Sequence, residues 1–186
     1  MGLTLASRPV MAWHCNTTSA WGSAVLRNGG ASVQARADAA VLKNTECWTT
    51  SNWKNNSIRT EVSNKSPWSF VVAAYYPNKS VDTAQKKLTV NKLFPSGLKG
   101  TSGTDNVLTL VSGDSRGFAS MMLVARLNTL FAGHRVAQCT VSSNGEDMLL
   151  TMANQGVGVF KPANSTGAAW TLKNIQDYLY GNYLVS

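Results

Sequence analysis

The chain predicts an α+β fold: a mainly antiparallel sheet with a buried central helix at about 118–132 and a C-terminal helix at about 168–184. Three observations carry that expectation. Phe118–Ala132 is a run of strong helix formers whose polar residues Ser120, Arg126, Asn128 and Thr129 share no face, and a helix apolar nearly all round is buried on most sides. Leu172, Ile175, Leu179 and Tyr183 recur at helical spacing, with Trp170 and Tyr178 beside them. Around these helices lie short apolar or alternating runs of strand length, rich in Val, Thr, Tyr and Phe.

Met1–Gly30 shows no clear period, although Trp13, Trp21, Val25 and Leu26 can pack. Ser32–Val41 fits either an alternating strand face or a short Ala-rich helix capped by Ser32, and alanine's weak strand preference favours the helix. Glu46–Asn56 is rich in Trp, Thr and Asn. Ser57–Ser63 alternates through Ile58, Thr60 and Val62 and predicts a strand. Asn64–Pro67 reads as a turn, and Trp68–Tyr76, ended by Pro77 and Asn78, as the second strand of a hairpin. Lys86–Phe94 alternates again, and Pro95–Thr104, with Gly97, Gly100 and Gly103, is the best linker candidate.

The central unit is strand Asn106–Val111, turn Ser112–Gly117, the buried helix with Gly133 as its stop, and strand Arg135–Val141. Ser142–Glu146 holds the Asn-Gly core of a hairpin turn and leads into a strand at Met148–Met152. Gly156–Phe160 reads as a short or bulged edge strand, and Pro162–Gly167 as a loop before the last helix.

A chain of 186 residues with 44% hydrophobic content is expected to form one domain with a true core. A subdivision into 1–100 and 101–186 is the alternative, because charge divides there. Residues 1–100 hold 12 Lys/Arg against 4 Asp/Glu, whereas 101–186 hold 5 of each, so the whole +8 excess lies in the first half. Five of the six tryptophans lie there too: Trp13, Trp21, Trp48, Trp53 and Trp68. No run reaches the roughly 18 apolar residues of a spanning helix, and the first residues do not read as a signal peptide. Cys15, Cys47 and Cys139 read as three buried thiols, with a Cys15–Cys47 bridge open in an oxidising compartment.

Chemistry-bearing patterns are sparse. No Cys/His spacing matches a structural zinc site and no phosphate-binding glycine loop is present, so no metal and no cofactor are expected. His14–Cys15 and the pair His134/Cys139 lack an evident orienting third group. Leu110-Val-Ser-Gly-Asp-Ser-Arg-Gly resembles the first block of the GDSL (SGNH) hydrolases. That resemblance implies Ser115 as nucleophile, with His134 the one histidine after it; the family's late Asp-x-x-His and its Gly-x-Asn-Asp block are absent. Phe118–Val141 is similar in pattern, though not in diagnostic residues, to the B subunits of pentameric bacterial toxins, which would make the apolar helix an inter-subunit surface.

Trp48, Trp53, Lys54, Arg59, Lys65 and Trp68 are the candidate binding residues. Cations interleaved with aromatics can hold a polyanion's charge and stack on its bases, or stack on sugar faces. The expected function is a non-enzymatic structural or binding subunit, virion or extracytoplasmic, that self-associates or docks into a larger assembly through its basic, aromatic N-terminal half. A glycan- or nucleic-acid-binding module is the alternative, and a small serine hydrolase using Ser115 the third reading.

Overall fold

The computed structural model describes residues 47–60, 64–131, 145–162 and 166–184. Over these residues the chain is helical: α1 Thr50–Asn55, α2 Pro67–Tyr75, α3 Val81–Lys87, α4 Val90–Leu93, α5 Val107–Ser112, α6 Phe118–Phe131, α7 Gly145–Gln155 and α8 Leu172–Asn182. Helix accounts for 56% and strand for 3%, and no sheet forms among the described residues, which overturns the expected α+β fold built on an antiparallel sheet. The only strand-type pairings described are two isolated bridges, Arg59 with Lys65 and Thr89 with Asn106.

The two predicted helices are present. Phe118–Ala132 is realised as α6, in which every residue from Ser120 to Thr129 is buried. Helix α8 starts later than 168, where Thr171 caps it: Thr171 Oγ1 accepts from Asn174 N, and the Asn174 side chain accepts from Thr171 N in return. Ile175, Tyr178 and Leu179 form its inner face as the spacing implied.

Each predicted strand that lies among the described residues is replaced by a helix or a loop, and helix starts explain why. Trp68–Tyr76 falls in α2, where Ser66 is the N-cap and Pro67 sits in the first turn, the position at which proline costs a helix nothing. Asn106–Val111 becomes α5 because Asn106 Oδ1 accepts from Thr109 N, and Val107 and Val111, four apart, share the buried face. Met148–Met152 lies within α7, whose inner face is Leu149, Met152 and Ala153. Lys86–Phe94 splits into the end of α3, a two-residue link and α4. Ser57–Thr60 is loop, with Ile58 61% exposed, and Gly156–Phe160 is a turn. The expected strand Arg135–Val141, the Ser32–Val41 element and Cys15 and Cys139 lie outside the described residues.

Helix α6 is the hub. It packs against α2, α4, α5, α7 and α8, while α1 and α3 close the N-terminal side against α2 and α5. One continuous cluster of buried side chains runs from Cys47 to Leu184. The polar residues that share no face on α6 each meet a carbonyl: Ser120 Oγ reaches Val111 O, Arg126 Nε donates to Leu93 O, and Thr129 Oγ1 donates to Ala125 O.

Asn128 does most of this joining. Its Oδ1 accepts from Trp48 N at 3.2 Å and Trp53 Nε1 at 3.0 Å, while its Nδ2 donates to Trp48 O and Tyr183 O, both at 2.9 Å. Truncating it leaves four buried polar groups without this partner. Asn128→Ala is therefore expected to lose about 3–5 kcal/mol in urea unfolding followed by circular dichroism. Leu130→Ala, at the one exposed position within the helix, should lose less than about 1 kcal/mol. A similar small loss for both would show that the amide carries no such role.

Candidate functional site

The capping box of Thr49 and Asn52 opens α1, and Asn56 closes it in the left-handed conformation at φ 51°. That short helix turns Trp53 inward beneath Trp48, edge to face at 5.5 Å between ring centroids. Trp68, from the first turn of α2, meets Trp53 in the same manner at 5.9 Å and donates from Nε1 to Trp53 O at 2.7 Å. All three indoles are wholly buried. Trp48, Trp53 and Trp68 thus form the aromatic wall between α1, α2 and α6, and their ring faces are covered by protein.

The predicted cations separate from them. Lys54 is exposed on α1. Lys65 is exposed, with its Nζ 5.9 Å from the centre of the Phe70 ring. Arg59 is half-buried and donates from Nη1 to the Cys47 carbonyl, so it braces the chain entering the core. Lys79, Lys87, Lys92 and Lys99 are likewise exposed. Among the described residues, Lys54, Lys65, Lys79, Lys87, Lys92 and Lys99 have no carboxylate partner; Lys86 pairs with Asp82 and Lys173 with Asp177 one helical turn on. The described part of residues 47–100 carries eight cations against the single carboxylate of Asp82. The exterior of the described residues between 47 and 100 is therefore a weakly neutralised positive surface over a Trp-lined core.

Ser115 is exposed in the turn between α5 and α6. Beside it, Asp114 Oδ1 accepts from Arg116 N at 3.0 Å, and Gln176 Nε2 from α8 donates to Arg116 O, so the Asp114 and Gln176 side chains tie the backbone of the turn down. His134 lies outside the described residues. No group of three or more His, Cys, Asp or Glu side chains is placed to hold a metal ion among the described residues. No described helix is long and apolar enough to cross a membrane.

Two buried phenols, Tyr178 and Tyr183, sit near the C-terminal end. Burial pushes the Tyr178 hydroxyl well above its ordinary value, and its hydrogen bond to Tyr183 adds to this. Burial also raises Tyr183. Both phenols are thus held neutral among apolar groups.

Sequence reasoning missed Asn128, whose polarity pointed to no face, and the turn at Gly156–Val159, whose valines face solvent. Comparison with protein-family models, with curated proteins and with solved structures finds no match to this chain. Its class rests on its own geometry: among the described residues, helices packed round one buried helix, with exposed cations between Lys54 and Lys99.

The raised phenols give a pH dependence. A folded-state value above the unfolded 10.0 leaves stability intact below that pH. Above it the unfolded chain releases protons that the folded chain retains, so stability falls as pH rises. Thermal unfolding should show a midpoint that drops once pH passes 10.0, with a shallower drop in Tyr178→Phe. An equal slope in that variant would place the alkaline transition elsewhere.

Proposed function

We propose that the protein is a non-enzymatic structural or binding subunit that docks on an anionic partner through exposed lysines of its N-terminal half. The observation that carries this reading is the set of exposed lysines between Lys54 and Lys99 that have no carboxylate partner among the described residues. A surface so weakly neutralised is attracted to polyanions over a Debye length and gains by releasing their counterions. The burial of Trp48, Trp53 and Trp68 moves the reading from aromatic stacking to charge, because the stacking faces are spent inside. Helix α6, whose apolar surface would suit self-association if exposed, is covered by neighbours from its own chain.

Retention on immobilised heparin is the test, compared with a plain sulfonate resin of similar charge density. The protein is expected to elute from heparin at the higher salt concentration. Reversing Lys54, Lys65 and Lys92 to Glu should lower that concentration and flatten the dependence of affinity on salt by about one unit of log slope per lost contact. Elution from both resins at the same salt, unchanged by the three reversals, would overturn the reading.

A further inference from the structure

Five large apolar side chains stand exposed among the described residues: Ile58, Leu130, Val157, Val159 and Leu172. Two of them share one turn. A third, Leu172, lies two residues beyond the backbone bond that anchors that turn.

The turn follows α7. Gly156 and Gly158 take φ of 80° and 75°, values that L side chains rarely adopt. Gly156 N donates to Met152 O, Phe160 N to Gly156 O, Gly158 N to Trp170 O, and Trp170 N to Phe160 O, all between 2.8 and 3.1 Å. Below it Phe160 and Trp170 are buried edge to face, 5.4 Å between centroids. Above it Val157 is 41% exposed and Val159 60%. The turn is therefore braced, and its two valines are held in water at a cost that a polar residue would avoid.

Cations flank it. A Cβ at Gly156 would come within 2.7 Å of Lys99 Cγ, so the lysine's aliphatic stem lies across that glycine, and Lys99 N donates to Ala153 O at 2.8 Å. Lys161 follows Phe160 and is exposed. Neither lysine has a carboxylate partner among the described residues.

We propose that this turn is a docking tip for an anionic lipid surface: Val157 and Val159 enter the headgroup–acyl boundary while Lys99 and Lys161 meet the phosphates. The proposal rests on the anionic-partner reading and names the partner's chemistry. A stable protein interface takes about 800 Å² from each side, far more than two valines and a nearby leucine supply. A lipid surface needs much less. Each lysine near it contributes about fivefold in partition, and a long cationic stem can lie along apolar surface while its head stays in water. Attachment by two valines and two lysines is peripheral and reversible.

The test is co-sedimentation of the full chain with vesicles of phosphatidylcholine alone, and of phosphatidylcholine mixed with phosphatidylglycerol. Binding is expected to the mixed vesicles only. Val157→Ser with Val159→Ser, which removes the apolar surface without adding charge, should lower it by at least about tenfold, and Lys99→Gln and Lys161→Gln by about fivefold each. The helical circular dichroism signal and heparin retention should stay unchanged in the valine pair. Three results overturn the proposal. Heparin retention without vesicle binding leaves the anionic-partner reading standing and removes the lipid. Loss of both removes both. Vesicle binding indifferent to the valine substitutions assigns the contact to charge elsewhere.

Discussion

The buried side-chain amide of Asn128 is the constraint on which the rest of this fold depends. A carboxamide has two donor hydrogens and an oxygen with two lone pairs, and here all four are used. Its partners lie 80, 75 and 55 residues away, so one side chain joins the segment entering α1, the hub helix α6 and the chain leaving α8. In the low dielectric of a core, a fully satisfied polar network is strong and a half-satisfied one is costly. Sliding α6 by a turn would break every one of these bonds together. Hydrophobic burial makes the helices collapse round α6; the amide selects which arrangement of them is reached.

That selection decides what the molecule can offer a partner. Oδ1 of Asn128 draws Trp53 Nε1 inward, Trp53 O in turn takes Trp68 Nε1, and Trp48 closes the group at its backbone. Three large aromatic residues that could have formed a recognition surface are thereby committed to the core. The lysines between them in sequence stay outside because their charge cannot follow. One stretch of chain thus yields an aromatic interior and a cationic exterior, and the functional reading passes to the second.

Legibility in the sequence followed the strength of each local signal. Helices α6 and α8 were readable because apolar residues fill or repeat round a helical circuit over three turns or more. The turn bracketed by Gly113 and Gly117 was readable from its glycines. The expected strands give way to helices of only six to eleven residues, in segments where Val, Thr and Tyr favour extended chain by at most about 1 kcal/mol in total scale. Ser66–Pro67 and Asn106 are helix starts, yet in the sequence the first has the composition of a turn and the second opens a run of strand length. A strand needs a partner strand and gains little without one; a capped apolar segment needs only a helix to pack upon, and α6 offers its whole circumference. Of the candidate site, the exposure of Lys54 and Lys65 was legible because charge resists burial. The placing of the tryptophans was not, since a Trp-rich stretch reads alike as wall or platform. Asn128 was beyond reach, because its partners meet only once the chain is folded.

The tight turns sharpen the contrast between solvated and presented surface. Three backbone positions that need positive φ are filled by asparagine, at Asn56, Asn64 and Asn78, which tolerates that conformation and keeps the turn polar. Gly97 and Gly100 bracket Leu98, but Leu98 is only 3% exposed, so the apolar residue of that loop points inward. Gly156 and Gly158 break the pattern: their turn buries Phe160 and leaves Val157 and Val159 outside. Turn geometry demands the glycines and says nothing of the valines, since each occupies a position that any side chain could take. Threonine there would keep the same β-branched shape and give water a hydroxyl. The exposed methyls are thus a property of this turn that the fold itself does not require, set beside two lysines that nothing among the described residues neutralises. That pairing of unneeded apolar surface with free positive charge is what separates this end of the molecule from its other loops.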